Sequence, residues 1–166
     1  MFGMDGAVAR SHAGEDACGN ERIEWSAGAW SVTRWRSPSP PTSHHSSTGA
    51  GIFVRESAER WIKAGVEWAD GVLGVGAVVT DGLSDWSVGA VPEWSGRQVR
   101  VRVSRLRDAL VVRAGIEGEA LRLVRVAPFP ADARASAGPF VCAPTRAGLE
   151  VVFLEWVRTA ADASLH

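Results

Sequence analysis

The sequence predicts an all-β sandwich, and three observations carry that reading. From residue 49 onward, short runs rich in Val, Ile, Leu and Trp are punctuated by Asp70-Gly71, Asp81-Gly82, Ser95-Gly96 and Glu117-Gly118, the rhythm of antiparallel strands joined by tight turns. No segment carries an amphipathic helical stripe. The 166 residues are 46% hydrophobic and 22% charged, one domain's worth of chain with enough apolar side chain for a two-layer core.

Taken in order, residues 1–22 are small, polar and aperiodic and predict a poorly ordered leader. The opening Met1-Phe2-Gly3-Met4-Asp5 lacks the basic and then apolar layout of a signal peptide, and no run approaches the roughly 18 apolar residues of a membrane span. The expectation is a soluble, cytoplasmic chain with no membrane partner. Residues 23–36 hold Trp25, Trp30 and Trp35 at no clean period and predict one or two short strands. The Pro/Ser-rich tract 37–49 cannot bury apolar surface and predicts a linker. The domain scheme is therefore a leader over 1–22, short strands plus linker over 23–48, and a sandwich over 49–166. Within the last, strands are predicted at 50–55, 60–69, 72–80, 97–105, 109–116, 120–127, 135–142 and 148–157.

Asp70-Gly71 fixes a register as well as a turn. A type I′ hairpin needs positive φ at both central residues, which Asp and Gly tolerate best. With Ala69 opposite Val72, the pairs run Trp68/Leu73, Glu67/Gly74, Val66/Val75, Gly65/Gly76, Ala64/Ala77, Lys63/Val78, Ile62/Val79 and Trp61/Thr80. Side chains alternate between faces, so Ile62, Ala64, Val66, Trp68, Leu73, Val75, Ala77 and Val79 form a wholly apolar face that must be core. The opposite face carries Trp61, Lys63 and Glu67 around Gly65, Gly74 and Gly76. Glycines weaken a sheet but leave a bare floor. Flanked by a cation, a carboxylate and an indole, that floor suits a polar ligand such as a sugar. Phe53 and Arg55 of the preceding strand extend the same face. The competing reading is a solvated Lys63–Glu67 pair, with the glycines making room for a neighbouring strand or bulge.

Thr80 to Ser87 predicts a polar loop carrying an aromatic, the usual setting for binding residues. Asp85 there can accept hydroxyl hydrogen bonds and Trp86 can stack on a ring; equally, Asp85 can cap its own loop and Trp86 can close the core.

The net charge of −1 conceals an asymmetry: seven basic against twelve acidic residues over 1–96, and ten against four over 97–146. The arginines of that basic stretch alternate with Val and Leu as the solvent side of strands does, so a nucleic-acid partner is not expected. Cys18 and Cys142 make no CxxC; His12, His44, His45 and His166 lack metal-ligand spacing, and no phosphate loop is present, so no metal or cofactor is expected. Cys142, in an apolar strand, is expected in the core. Glycoside hydrolysis needs two carboxylates flanking one bond, whereas Glu67 and Asp70 point to opposite faces; no catalytic residue is assigned.

The segments Trp61-Ile62-Lys63-Ala64-Gly65-Val66-Glu67-Trp68, Val78-Val79-Thr80-Asp81-Gly82-Leu83-Ser84-Asp85-Trp86-Ser87 and Val101-Arg102-Val103-Ser104-Arg105, with Leu123-Val124-Arg125 and Gly138-Pro139, resemble the regulation of enolase protein 1 family, which includes YesU-like proteins. The resemblance covers residues 49–166. It implies the concanavalin A-like jelly roll of lectins and glucanases, with Lys63, Glu67, Ser84, Asp85, Trp86 and Arg125 on a concave face. Members carry several strands before the one matched by Gly51-Ile52-Phe53, where this chain offers mainly the Pro/Ser tract, so the expectation is either a shortened N-terminal part of the sandwich or an unusual reading frame over that region. The resulting expectation is a noncatalytic sandwich binding a carbohydrate or polyhydroxylated metabolite through Trp61, Lys63, Glu67, Ser84, Asp85, Trp86 and Arg125. The alternatives are a protein-interaction or regulatory module and a weak glycan-active hydrolase or lyase.

Overall fold

The computed structural model describes residues 3–10, 23–25, 29–36, 48–144 and 149–165. They form twelve strands: β1 (Gly3–Arg10), β2 (Ile23–Trp25), β3 (Ala29–Arg36), β4 (Thr48–Arg55), β5 (Arg60–Ala69), β6 (Val72–Asp81), β7 (Leu83–Ala90), β8 (Gln98–Leu106), β9 (Ala109–Ile116), β10 (Arg122–Pro128), β11 (Ala135–Cys142) and β12 (Glu150–Thr159). A single 3-10 turn, Pro92–Trp94, interrupts them. The strands make two six-stranded antiparallel sheets, in the orders β1-β12-β3-β8-β9-β10 and β2-β11-β4-β5-β6-β7. This is the jelly-roll sandwich that the sequence predicts.

The β5–β6 hairpin has the expected register at every pair from Ala69↔Val72 to Trp61↔Thr80. Asp70 and Gly71 take φ of 52° and 77°, the left-handed pair that a type I′ turn requires. The apolar face of that hairpin is core. Ile62, Ala64, Val66, Leu73 and Ala77 are buried and pack with Ile52 and Val54 of β4 against Val101, Val103, Leu110 and Val112 of the other sheet. Each large aliphatic side chain so buried contributes about 1.5–3 kcal/mol.

Three expectations are corrected. Over residues 3–10 the expected leader gives way to β1, which pairs with β12; β2 and β3 are the short strands expected over 23–36, and they pair with β11 and between β12 and β8, so the N-terminal part of the sandwich is not shortened to the Pro/Ser tract. Backbone pairing across a sheet can hold a segment with no apolar period of its own, which is why pattern reading missed β1. Residues 11–22 and 37–47, with the histidines and Cys18 they contain, lie outside the described residues. The polar loop over Thr80–Ser87 is instead the end of β6, a tight turn at Gly82 (φ 71°) and the edge strand β7. At a sheet edge neither face is deeply buried, so the strand lacks an apolar alternation.

Two arginines of the basic stretch act as internal ties. Arg105, buried on β8, donates to the carbonyl oxygens of Pro130, Ala131 and Ala133 at 2.6–2.9 Å. Arg102 and Arg113 both bond the Asp162 carboxylate, and Asp162 N donates to Ser104 Oγ at 2.8 Å. The segment after β12 is thereby strapped across the outer face of β8 and β9.

Candidate functional site

The outer face of the second sheet is built in rows by register. One row is Cys142, Gly49, Glu67, Gly74 and Ala90, and the next is Phe140, Gly51, Gly65, Gly76 and Val88. A third is Gly138, Phe53, Lys63, Val78 and Trp86; a fourth is Ser136, Arg55, Trp61, Thr80 and Ser84. The first three rows floor a partly open cavity of about 200 Å³ lined by Lys63, Glu67, Val78, Trp86, Phe140 and Cys142, among others.

The middle of this floor has to be glycine. A Cβ on Gly51 would lie 2.1 Å from Ala64 O, one on Gly65 2.1 Å from Ala50 O, and one on Gly76 2.0 Å from Ser87 O. The neighbouring backbone approaches too closely for any side chain there. Both readings of the glycines therefore hold together: they accommodate adjacent strands, and they leave the floor bare.

Lys63 and Glu67 rise from β5 on either side of Gly65. Lys63 Nζ donates to Cys142 Sγ at 3.6 Å and stands 5.4 Å from the centroid of the Phe140 ring. Glu67 is half-buried, and desolvation raises its pKa above the ordinary carboxylate value despite the opposing pull of the Lys63 charge. The site thus offers one cation, one carboxylate that protonates more readily than a free one, and aromatic surface on two sides. Trp86, 56% exposed, forms the wall nearest solvent.

Of the residues read from sequence, Lys63, Glu67 and Trp86 line the cavity. Trp61 and Ser84 share the face but sit in the fourth row, beyond it: Trp61 packs on Phe53 at 5.7 Å between ring centroids, and Ser84 Oγ is 2.8 Å from Thr80 Oγ1. Asp85 and Arg125 are corrected outright. Asp85 pairs with Val79, so it projects from the opposite face of the sheet, where Arg125 of β10 bonds it at 2.5 Å and Ser87 Oγ at 3.0 Å. That contact ties β7 to the edge of the other sheet. Cys142 is likewise not a core residue but lines the cavity, as a free half-buried thiol.

Phe140, Cys142 and Pro144 were missed because β11 follows β4 by some eighty residues and nothing local announces their pairing. Among the described residues no group of three His, Cys, Asp or Glu could hold a metal ion, and no helix is long and apolar enough to cross a membrane.

Comparisons with known proteins agree with this architecture. The chain is 40% identical over 111 residues to "Regulation of enolase protein 1" of Saccharomyces cerevisiae, a match over 67% of this chain and 56% of the yeast protein. Only about half of that relative is therefore represented here. A crystal structure of a functionally unknown protein from Saccharomyces cerevisiae superposes with a TM-score of 0.80 at 28% identity, over 95% of this chain and 89% of the other. Two more distant structures share the fold alone. The xylan beta-1,4-xylosidase of Bacillus halodurans C-125 has a TM-score of 0.68 at 14% identity, covering 83% of this chain and 29% of the enzyme. The legume lectin-like domain of Entamoeba histolytica has a TM-score of 0.58 at 7% identity, covering 95% and 79%. The matching family pattern runs over residues 42–161, and the chain belongs to that family, the proteins of unknown function DUF1349.

Proposed function

We propose that this protein is a noncatalytic β-sandwich that binds a carbohydrate or related polyhydroxylated metabolite in the glycine-floored cavity. The observation that carries the reading is the joint placement of Lys63, Glu67 and Trp86 around Gly65 and Gly76. A ligand dense in hydroxyls needs donors and acceptors at its edges and a flat apolar surface for its C–H face, and the cavity supplies an ammonium, a carboxylate and an indole in that arrangement. The fold is shared with a xylosidase and a lectin-like domain, which supports a carbohydrate ligand at the level of architecture.

Binding is favoured over hydrolysis by carboxylate count. Among the described residues, Glu67 is the one acidic side chain lining the cavity, and Asp85 is on the other face. The pair of carboxylates roughly 5–9.5 Å apart that flanks a scissile glycosidic bond is not assembled.

A second reading rests on the β7 edge. Leu83, Trp86 and Val88 are exposed along β7, an edge strand among the described residues, a surface that suits a protein partner, and the yeast relative carries a regulatory name. A glycan array probed with the purified chain and with Trp86→Ala separates the two. Sugar hits that weaken in the variant support the cavity; a blank array from folded protein, with a polypeptide captured through β7, supports the edge.

A further inference from the structure

We infer that Arg102 and Arg113 form a binding site for an oxyanion, a carboxylate or a phosphate group, which the chain fills with its own Asp162 carboxylate. The site is on the outer face of the β8–β9 pair and is independent of the glycine-floored cavity.

The register creates the demand for an anion. Arg102 and Arg113 are direct cross-strand partners. Both point outward, since Val101, Val103, Val112 and Ala114 on either side of them are core. Like charges directly opposite one another destabilise a sheet. These two are also largely withdrawn from water, with side chains 17% and 16% exposed. Two desolvated guanidinium groups side by side need a negative charge between them.

Asp162 supplies it. Its Oδ1 accepts from Arg102 Nε at 2.8 Å, and its Oδ2 accepts from Arg113 Nη1. The carboxylate therefore bridges the pair, one oxygen to each guanidinium, the charge-assisted arrangement that planar arginines offer to carboxylates and phosphates alike. Two hydroxyls complete the rim: Ser104 Oγ accepts from Asp162 N–H at 2.8 Å, and Thr159 Oγ1 accepts from Arg102 Nη1 at 2.8 Å.

The segment that delivers the carboxylate is held by polar contacts. Ala160, Ala161, Ala163, Ser164 and Leu165 are exposed, and within 160–165 Asp162 alone is half-buried. The segment joins neither sheet; Arg102 and Arg113 hold its carbonyls at Ala160 and Leu165, each at 2.9 Å. Local opening concentrates where few apolar groups are buried, so 160–165 can lift while both sheets stay intact. The two arginines then keep their demand for an anion and meet whichever oxyanion solvent offers. The family match over residues 42–161 spans both arginines and ends before Asp162, so the cation pair belongs to the shared domain and its anion lies just beyond the match.

The test is a ¹H–¹⁵N titration of the full chain and of its Asp162→Asn and Asp162→Ala variants with inorganic phosphate and, separately, with acetate, chloride holding the ionic strength constant. The expected result is saturable movement of the Arg102 and Arg113 Nε–H signals in both variants, with a dissociation constant at least about tenfold below that of the parent, where Asp162 competes. Adding Arg113→Leu to Asp162→Asn is expected to abolish it. Saturation by phosphate alone assigns the site to phosphorylated ligands and by acetate alone to carboxylates, and either supports the inference. Failure of both anions to saturate the variants, equal affinity in variant and parent, or affinity that survives the loss of Arg113 overturns it. If neither variant folds, the parent decides: phosphate must move the Asp162 and Ser104 amides together with the arginine signals, and their staying fixed overturns the inference.

Discussion

Lys63 Nζ and Cys142 Sγ, 79 positions apart in the chain, lie 3.6 Å from one another at one wall of the cavity. The contact exists because β4 separates the two strands that carry these residues, with Phe53 opposite Lys63 and Gly49 opposite Cys142. Gly49 and Gly51 put no side chain between the lysine and β11. The glycines thus do two things, letting the strands approach and letting side chains from non-adjacent strands meet above them.

This placement makes Cys142 a reporter of occupancy. In a Cys18→Ser background, alkylation of Cys142 by iodoacetamide, followed by mass spectrometry, is expected to slow in the presence of a saturating sugar ligand. Alkylated protein is expected to lose binding while keeping its melting temperature.

Trp86 is 56% exposed on an edge strand and contributes little to the core. Trp86→Ala is expected to weaken ligand binding by about tenfold, the scale of one lost aromatic contact of roughly 0.5–1.5 kcal/mol. The same variant should melt within a degree or so of the parent.

Glu67 carries a pH signature. Burial raises its folded-state pKa above the ordinary value of 4.5, so between that value and the raised one the folded chain binds more protons than the unfolded chain. Its contribution to stability is fully present below 4.5 and is lost as pH rises through the folded pKa. Glu67→Gln is therefore expected to be more stable than the parent at pH 7, with the gain shrinking towards zero below pH 4.5, read as paired denaturant melts across pH.

The floor should tolerate no methyl group. Gly65→Ala places a Cβ 2.1 Å from Ala50 O and is expected to cost at least about 1–3 kcal/mol or to prevent folding. Gly89→Ala, where an added Cβ meets nothing within 4 Å, is the matched control and should be neutral or slightly stabilising in the same urea titration.

Arg125 and Asp85 tie β10 to β7 on the face of the sheet away from the cavity. With the Asp85 side chain 67% exposed, Arg125→Ala should lower stability by no more than about 1 kcal/mol and leave sugar affinity unchanged. A tenfold loss of affinity in this variant would return Arg125 to the site.

What the sequence disclosed follows the range of the interactions involved. Asp70-Gly71 is a local signal, and the whole β5–β6 register follows from it, faces included. The same logic applied at Gly82 finds β7: Asp81↔Leu83 sets Trp86 opposite Val78 and Asp85 opposite Val79, which separates the two residues onto different faces. Reading that stretch as a loop kept them together. Phe140 and Cys142 were hidden for another reason, since the pairing of β11 with β4 is decided by the packing of the whole sandwich and leaves no mark within either segment. Arg105 illustrates the same limit: it shares the core-facing side of β8 with Val101 and Val103, and only the carbonyls of 130, 131 and 133 explain the burial of a guanidinium there.

The most direct test of the account is a ¹H–¹⁵N spectrum of the labelled chain titrated with a sugar from the array. The account predicts that the largest shifts fall on the Gly65 and Gly76 amides, on Lys63 and Glu67, and on the Trp86 indole N–H. Shifts confined to the outer face of β8 and β9 around Arg102 and Asp162, or scattered without saturation, would contradict it.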